Sequence, residues 1–88
     1  MNQEEIVSRG IQATRILEDQ SIMSFFDEQL NLIKDSMFNT NPTEEKERDR
    51  LYFQHKGVVD FLGILESYKD AATTIITALE AENNEKSD

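Results

Sequence analysis

His55 is the only histidine in the chain. Nucleophilic or acid–base chemistry at such a ring needs a nucleophile or a carboxylate within hydrogen-bond reach. Asp27, Asp35 and Asp60 are candidates by type, but no spacing places any of them against His55, which lies on an apolar stripe between Leu51 and Val58. His55 therefore reads as a packed or interfacial histidine whose pH sensitivity near neutrality could tune assembly. Glu44, Glu45, Glu47 and Asp49 form an acidic cluster. A metal site needs oxygens that converge, and the glycine-containing spacing of a calcium loop is absent. Lys46, Arg48 and Arg50 interleave with these carboxylates, the pattern of a solvated helix face with pairs three or four residues apart. Arg50 followed by Leu51-Tyr52-Phe53 sets a cation beside aromatic rings, so Arg50 and Tyr52 are the residues that would line a small-molecule pocket between protomers, for instance for a nucleotide. Stacking or hydrogen bonding across helices is the commoner use of such residues. No glycine-rich phosphate loop, metalloprotease histidine pair or nucleophile elbow occurs. The absence of cysteine excludes a disulfide scaffold and a cysteine-bearing zinc site. The expectation is a protein that is not an enzyme and takes no cofactor or metal.

Charge narrows the partners. Over 88 residues, 18 acidic side chains oppose 9 basic ones, a formal charge of −9. Phosphate recognition needs clustered Lys and Arg, so direct nucleic-acid binding is not expected, and anionic membrane surfaces are disfavoured for the same reason. A basic protein partner would be attracted, mainly through its on-rate. No apolar run approaches the ~18 residues that span a bilayer, and the acidic start Met1-Asn2-Gln3-Glu4-Glu5 is not that of a secretion signal.

The elements that position these residues follow from apolar spacing. Ile6, Gly10, Ala13 and Leu17 form one helical stripe, predicting a helix over 3–18 with Glu4 and Glu5 at the favourable end of its dipole. Asp19-Gln20-Ser21 is a break in which Asp19 or Ser21 caps the next helix. Met23, Phe26, Leu30, Ile33 and Met37 predict a helix over 21–38. Asn41-Pro42-Thr43-Glu44 reads as a helix start, with Asn41 as cap, Pro42 at the first helical position and Glu44 reaching back to the cap backbone. Leu51, His55, Val58, Leu62, Leu65, Lys69, Ala72, Ile76 and Leu79 then alternate four and three residues, predicting one long helix over about 43–82. Phe61, Tyr68 and Ile75 run parallel to that row. Gly57 and Gly63 interrupt it, which suggests close approach of a neighbouring helix or a kink. Phe25, Phe26, Phe38, Phe53 and Phe61 are expected in the core. Residues 83–88 lack apolar content and read as a frayed acidic tail.

The predicted architecture is all-α: a single domain over 1–82 with two shorter helices packed on one long C-terminal helix, as a helical hairpin or three-helix bundle. The second helix runs antiparallel to the first half of the long one, and the first helix covers part of the same groove. The end of the long helix, about Ala71 to Leu79, is then left with little intramolecular cover, so Ile75, Ile76 and Leu79 would be exposed in a monomer. Such exposed rows mark interfaces, so a homo-oligomer or bound partner is expected, with Val58, Leu62, Leu65, Ala72, Ile75, Ile76 and Leu79 as the docking residues.

The order of these motifs resembles a group of small all-helical proteins encoded by tailed bacteriophages. The first helix ends in Ile16-Leu17-Glu18-Asp19, Phe26 and Ile33 follow, and an acidic arginine-bearing segment runs from Thr40 to Arg50. Leu51-Tyr52, Leu62, Leu65 and Tyr68 close the pattern, which covers about residues 10–70. Gln20 stands where that group often has proline, and the second helix lacks the group's usual tryptophan. The resemblance implies a virion or assembly component, or a small host-directed protein, in the host cytoplasm or the particle. The expected function is that of an acidic assembly protein working by docking and self-association, with a phage structural protein or a basic host protein as partner. The alternatives are an acidic inhibitor that imitates DNA and a ligand-sequestering oligomer.

Overall fold

The computed structural model describes residues 1–86. It contains three helices, α1 (Gln3–Glu18), α2 (Gln20–Phe38) and α3 (Glu45–Lys86), and no strand among the described residues. The two short helices pack on the long one, as the apolar spacing predicts.

A single residue separates α1 from α2, and its side chain makes the break. Asp19 has extended backbone angles (φ −80°, ψ 104°) and caps α2. Its Oδ1 accepts from the backbone N–H of Ser21 at 3.0 Å and of Ile22 at 3.1 Å, and from the Ser21 hydroxyl at 2.7 Å. The Ser21 hydroxyl and then the Ile22 N–H hold the Asp19 carboxyl below the usual carboxylate range. A depressed folded value means that the cap's contribution is complete above the unfolded value and is lost as pH falls through the folded one. Acid titration followed by NMR should therefore show the first turn of α2 loosening at a pH below the ordinary aspartate range. Asp19→Asn should keep the cap and abolish that titration; an unchanged acid limb in the variant would assign the effect to another group.

The α2–α3 connection is built from local hydrogen bonds. The Asn39 N–H donates to the Asp35 carbonyl at 3.1 Å, and the Thr40 hydroxyl to the Met37 carbonyl at 2.8 Å. Glu44 does reach back, its Oε1 accepting from the Asn41 N–H at 3.2 Å. The helix nevertheless starts at Glu45, two residues later than expected. Asn41–Glu44 closes instead as a turn, with the Glu44 N–H on the Asn41 carbonyl at 2.9 Å, and the Arg48 N–H then meets the Glu44 carbonyl at 3.1 Å. Arg48 ties down this turn through its guanidinium, which donates to the carbonyls of Asn41 and Pro42 at 3.2 and 3.4 Å. At the other end α3 runs on through Asn83–Lys86, where a frayed tail was expected; Ser87 and Asp88 of that tail lie outside the described residues.

The chain divides into two compact units. One comprises Asp19–Gly63. Here α2 lies antiparallel to the first part of α3: the loop joins Phe38 to Glu45, while Phe26 meets Phe61 with ring centroids 6.3 Å apart. Leu51 is buried, and Met23, Phe26, Leu30, Ile33 and Met37 are half-buried, which is the stripe that the spacing predicts.

The other unit joins Met1–Glu18 to α3 from Ile64 onward. Gly10, Ala13, Leu65 and Ala72 are buried in it. Ala13 follows Gly10 on α1 while Leu65 precedes Ala72 on α3, so burial on that side of the Gly10–Ala72 contact orders the two helices antiparallel. This corrects the expected placement of α1 on the groove filled by α2. The Gly10–Ala72 contact seats α1 on the later part of α3.

Glycine marks a close approach, though not where the long helix suggested it. A Cβ on Gly10 would fall inside the Ala72 side chain and 2.7 Å from the Tyr68 carbonyl oxygen, whereas a Cβ on Gly57 or Gly63 meets nothing within 4 Å. Gly57 and Gly63 also sit inside continuous helix. Replacing either by alanine removes the helical penalty of glycine with no steric cost. Each substitution should raise stability by up to ~1 kcal/mol in urea titration; a loss would reveal a neighbour that closes on that site in solution.

Candidate functional site

The feature that stands out is how little apolar surface the chain hides. Among the described residues the buried hydrophobic ones are Ala13, Leu51, Leu65 and Ala72, and no large side chain is fully enclosed. Large apolar side chains are exposed on all three helices. At about 100° per residue, Ile22, Phe25 and Leu32 fall on one face of α2.

In the Asp19–Gly63 unit, Ile22, Phe25 and Leu32 lie beside the packed stripe of α2, and Phe25 is 66% exposed. On α3, Phe61 touches Phe26 yet remains exposed, and Phe53, two turns earlier, is 66% exposed. Gly57 lies between Phe53 and Phe61 at four-residue spacing and leaves the backbone open there. The aromatics Phe25, Phe38, Phe53 and Phe61 are thus surface residues, which corrects their expected place in the core; only Phe26 of the five is half-buried. The signal was their offset from the packing stripe: Phe25 sits one position before Phe26, and Phe53 two after Leu51. Helical period alone does not say on which flank an aromatic becomes exposed.

In the other unit, α1 and α3 frame an open groove of about 260 Å³. Its apolar lining comes from Ile11 and Ile76 over Gly10 and Ala72, and its cations from Arg15 and Lys69. The Thr14 and Thr73 hydroxyls are turned to the carbonyls of Gly10 and Lys69 on their own helices, at 2.8 and 3.0 Å, so they do not make the groove polar. Arg15 and Lys69 form no ion pair among the described residues.

The expected docking residues divide accordingly. Leu65 and Ala72 are buried inside the chain, Ala72 by α1, and are withdrawn from any partner. Val58, Leu62 and Ile75 are half-buried. Ile76 and Leu79 remain at the surface, 37% and 46% exposed. The end of α3 is therefore covered on one side by α1 and open on another, where little cover was expected.

The other candidate residues take structural roles. Arg50 is held by Glu47, with Nε on Oε2 at 3.0 Å and Nη2 on Oε1. That contact raises the Arg50 pKa and keeps the Glu47 carboxyl below its usual range. Tyr52 meets Phe53 edge-on with centroids 5.4 Å apart. Arg50 and Tyr52 are thus drawn to different neighbours. His55 is half-buried on the apolar stripe, and Asp60, one of its candidate partners, pairs with Lys56 at 3.2 Å. The acidic cluster opens α3 as a solvated face, and no group of three or more potential metal ligands converges among the described residues. No described helix is long and apolar enough to cross a membrane.

No protein-family model, curated protein or solved structure matches the chain.

Proposed function

We propose that the protein works by docking and self-association, as a small acidic assembly protein of the kind that tailed bacteriophages encode, and not by catalysis. One observation carries this reading: thirteen large apolar side chains are exposed among the described residues, against four buried hydrophobic ones. Isolated exposed apolar residues are ordinary, but rows of them favour association because contact removes the whole row from water. The resemblance to phage proteins supports the assembly context, and Ile76 and Leu79 remain available for contact along α3.

Sedimentation over a micromolar concentration range tests the reading: a concentration-dependent oligomer is expected. A monodisperse monomer across that range, with no complex formed in purified particles, would refute it. The charge of −9 favours a second reading, an acidic inhibitor aimed at a basic host protein. Capture of a basic host protein by the monomer, weakening steeply with salt, would support that alternative.

A further inference from the structure

The groove between α1 and α3 carries a charge pattern that selects its occupant. On α1, Glu4, Ile11 and Arg15 follow a spacing of seven and four residues and share one face. On α3, Lys69, Ile76 and Glu80 follow seven and four and also share one face. Because the helices are antiparallel, both cations lie at one end of the groove, and both carboxylates fall on the same helix faces beyond its other end, with Ile11 and Ile76 between. Glu4 and Arg15 are eleven residues apart, as are Lys69 and Glu80, about 16 Å along a helix. The midpoints of the two intervals fall near residues 9–10 and 74–75, both close to the Gly10–Ala72 contact.

We propose that a second copy of this chain occupies the groove, related by a two-fold axis across the helices near Gly10, so that α1 lies antiparallel on the partner's α1 and α3 on the partner's α3. This inference rests on the self-association reading and names the face that performs it. The axis sets the Arg15 of each copy against the Glu4 of the other, and Lys69 against Glu80, twice each. It closes the Ile11 and Ile76 rows from both sides. Glu18 and Glu66, the carboxylates next to the cationic end, then fall opposite Met1 and Asn83 and meet no like charge. The other face-to-face two-fold, parallel to the helices, would lay α1 on the partner's α3 and bring Arg15 against Lys69; repulsion rejects it. In a chain of net charge −9, this surface balances two cations with two carboxylates, so copies meet there with the least repulsion.

Charge reversal tests the proposal. One variant carries Arg15→Glu and Lys69→Glu, a second Glu4→Lys and Glu80→Lys, and circular dichroism checks that each stays helical. Each alone should self-associate at least about tenfold more weakly than the unaltered protein, since attractive contacts become repulsive. Mixed in equal amounts, the two should recover association as a heterodimer, because an all-acidic groove then faces an all-basic one. Recovery in the mixture and not in either variant supports the two-fold arrangement. If the unaltered protein assembles and both variants assemble equally well, this groove is not the interface, though self-association stands. If the unaltered protein is a monomer throughout, both fall.

Discussion

Replacing Leu65 by alanine is expected to cost about 2–4 kcal/mol, enough to unfold much of the protein at room temperature. Removing a buried leucine side chain loses its transfer free energy and leaves a cavity that neighbours refill only in part. Leu65 is one of four buried hydrophobic residues and, with Ala13 and Ala72, supplies the enclosed apolar packing between α1 and α3. A chain of 88 residues has few other contacts to spread that loss over. Urea denaturation followed by helical circular dichroism should show the midpoint fall sharply. Leu79→Ala is the matched comparison: Leu79 is 46% exposed, so monomer stability should change by less than ~0.5 kcal/mol. Equal losses at the two sites would contradict the burial pattern.

Gly10→Ala should produce the second large effect, and its sign is diagnostic. At an exposed helical position this substitution stabilises by up to ~1 kcal/mol. At Gly10 the added methyl would meet both the Ala72 side chain and the Tyr68 backbone oxygen. The Ala72 methyl is fixed to its backbone and a helical carbonyl cannot turn away, so α1 must lift from α3. Overpacking of this kind costs about 1–3 kcal/mol. The expected outcome is a net loss of stability with faster amide exchange along α1. A gain like that expected at Gly57 would show that α1 does not seat closely on Ala72.

These two residues also measure how far the sequence could be read. Gly10 was visible as a member of the Ile6–Leu17 stripe, but its role as the closest helix contact was not. The two glycines that interrupt the α3 ladder drew attention instead and turned out to meet no neighbour. Spacing along one helix shows which residues share a face; it carries no information about the distance to the helix opposite. The Arg50–Tyr52 pair shows the same limit. Adjacency in sequence suggested a common pocket, while a Glu47 carboxylate one turn away claimed the guanidinium.

Local physics written into the chain determined the helical class, the break at Asp19, the loop at Asn39–Glu44 and the four-three ladder of α3. Each depends on interactions within a few residues: a carboxylate on the next free N–H groups, a turn around proline, side chains recurring once per turn. Tertiary structure alone decided that α1 covers Ala72, that Phe25 and Phe53 face solvent, and that Arg15 and Lys69 border one groove. Those outcomes depend on which stripe meets which, a choice made between residues some sixty positions apart along the chain, where no local periodicity can reach.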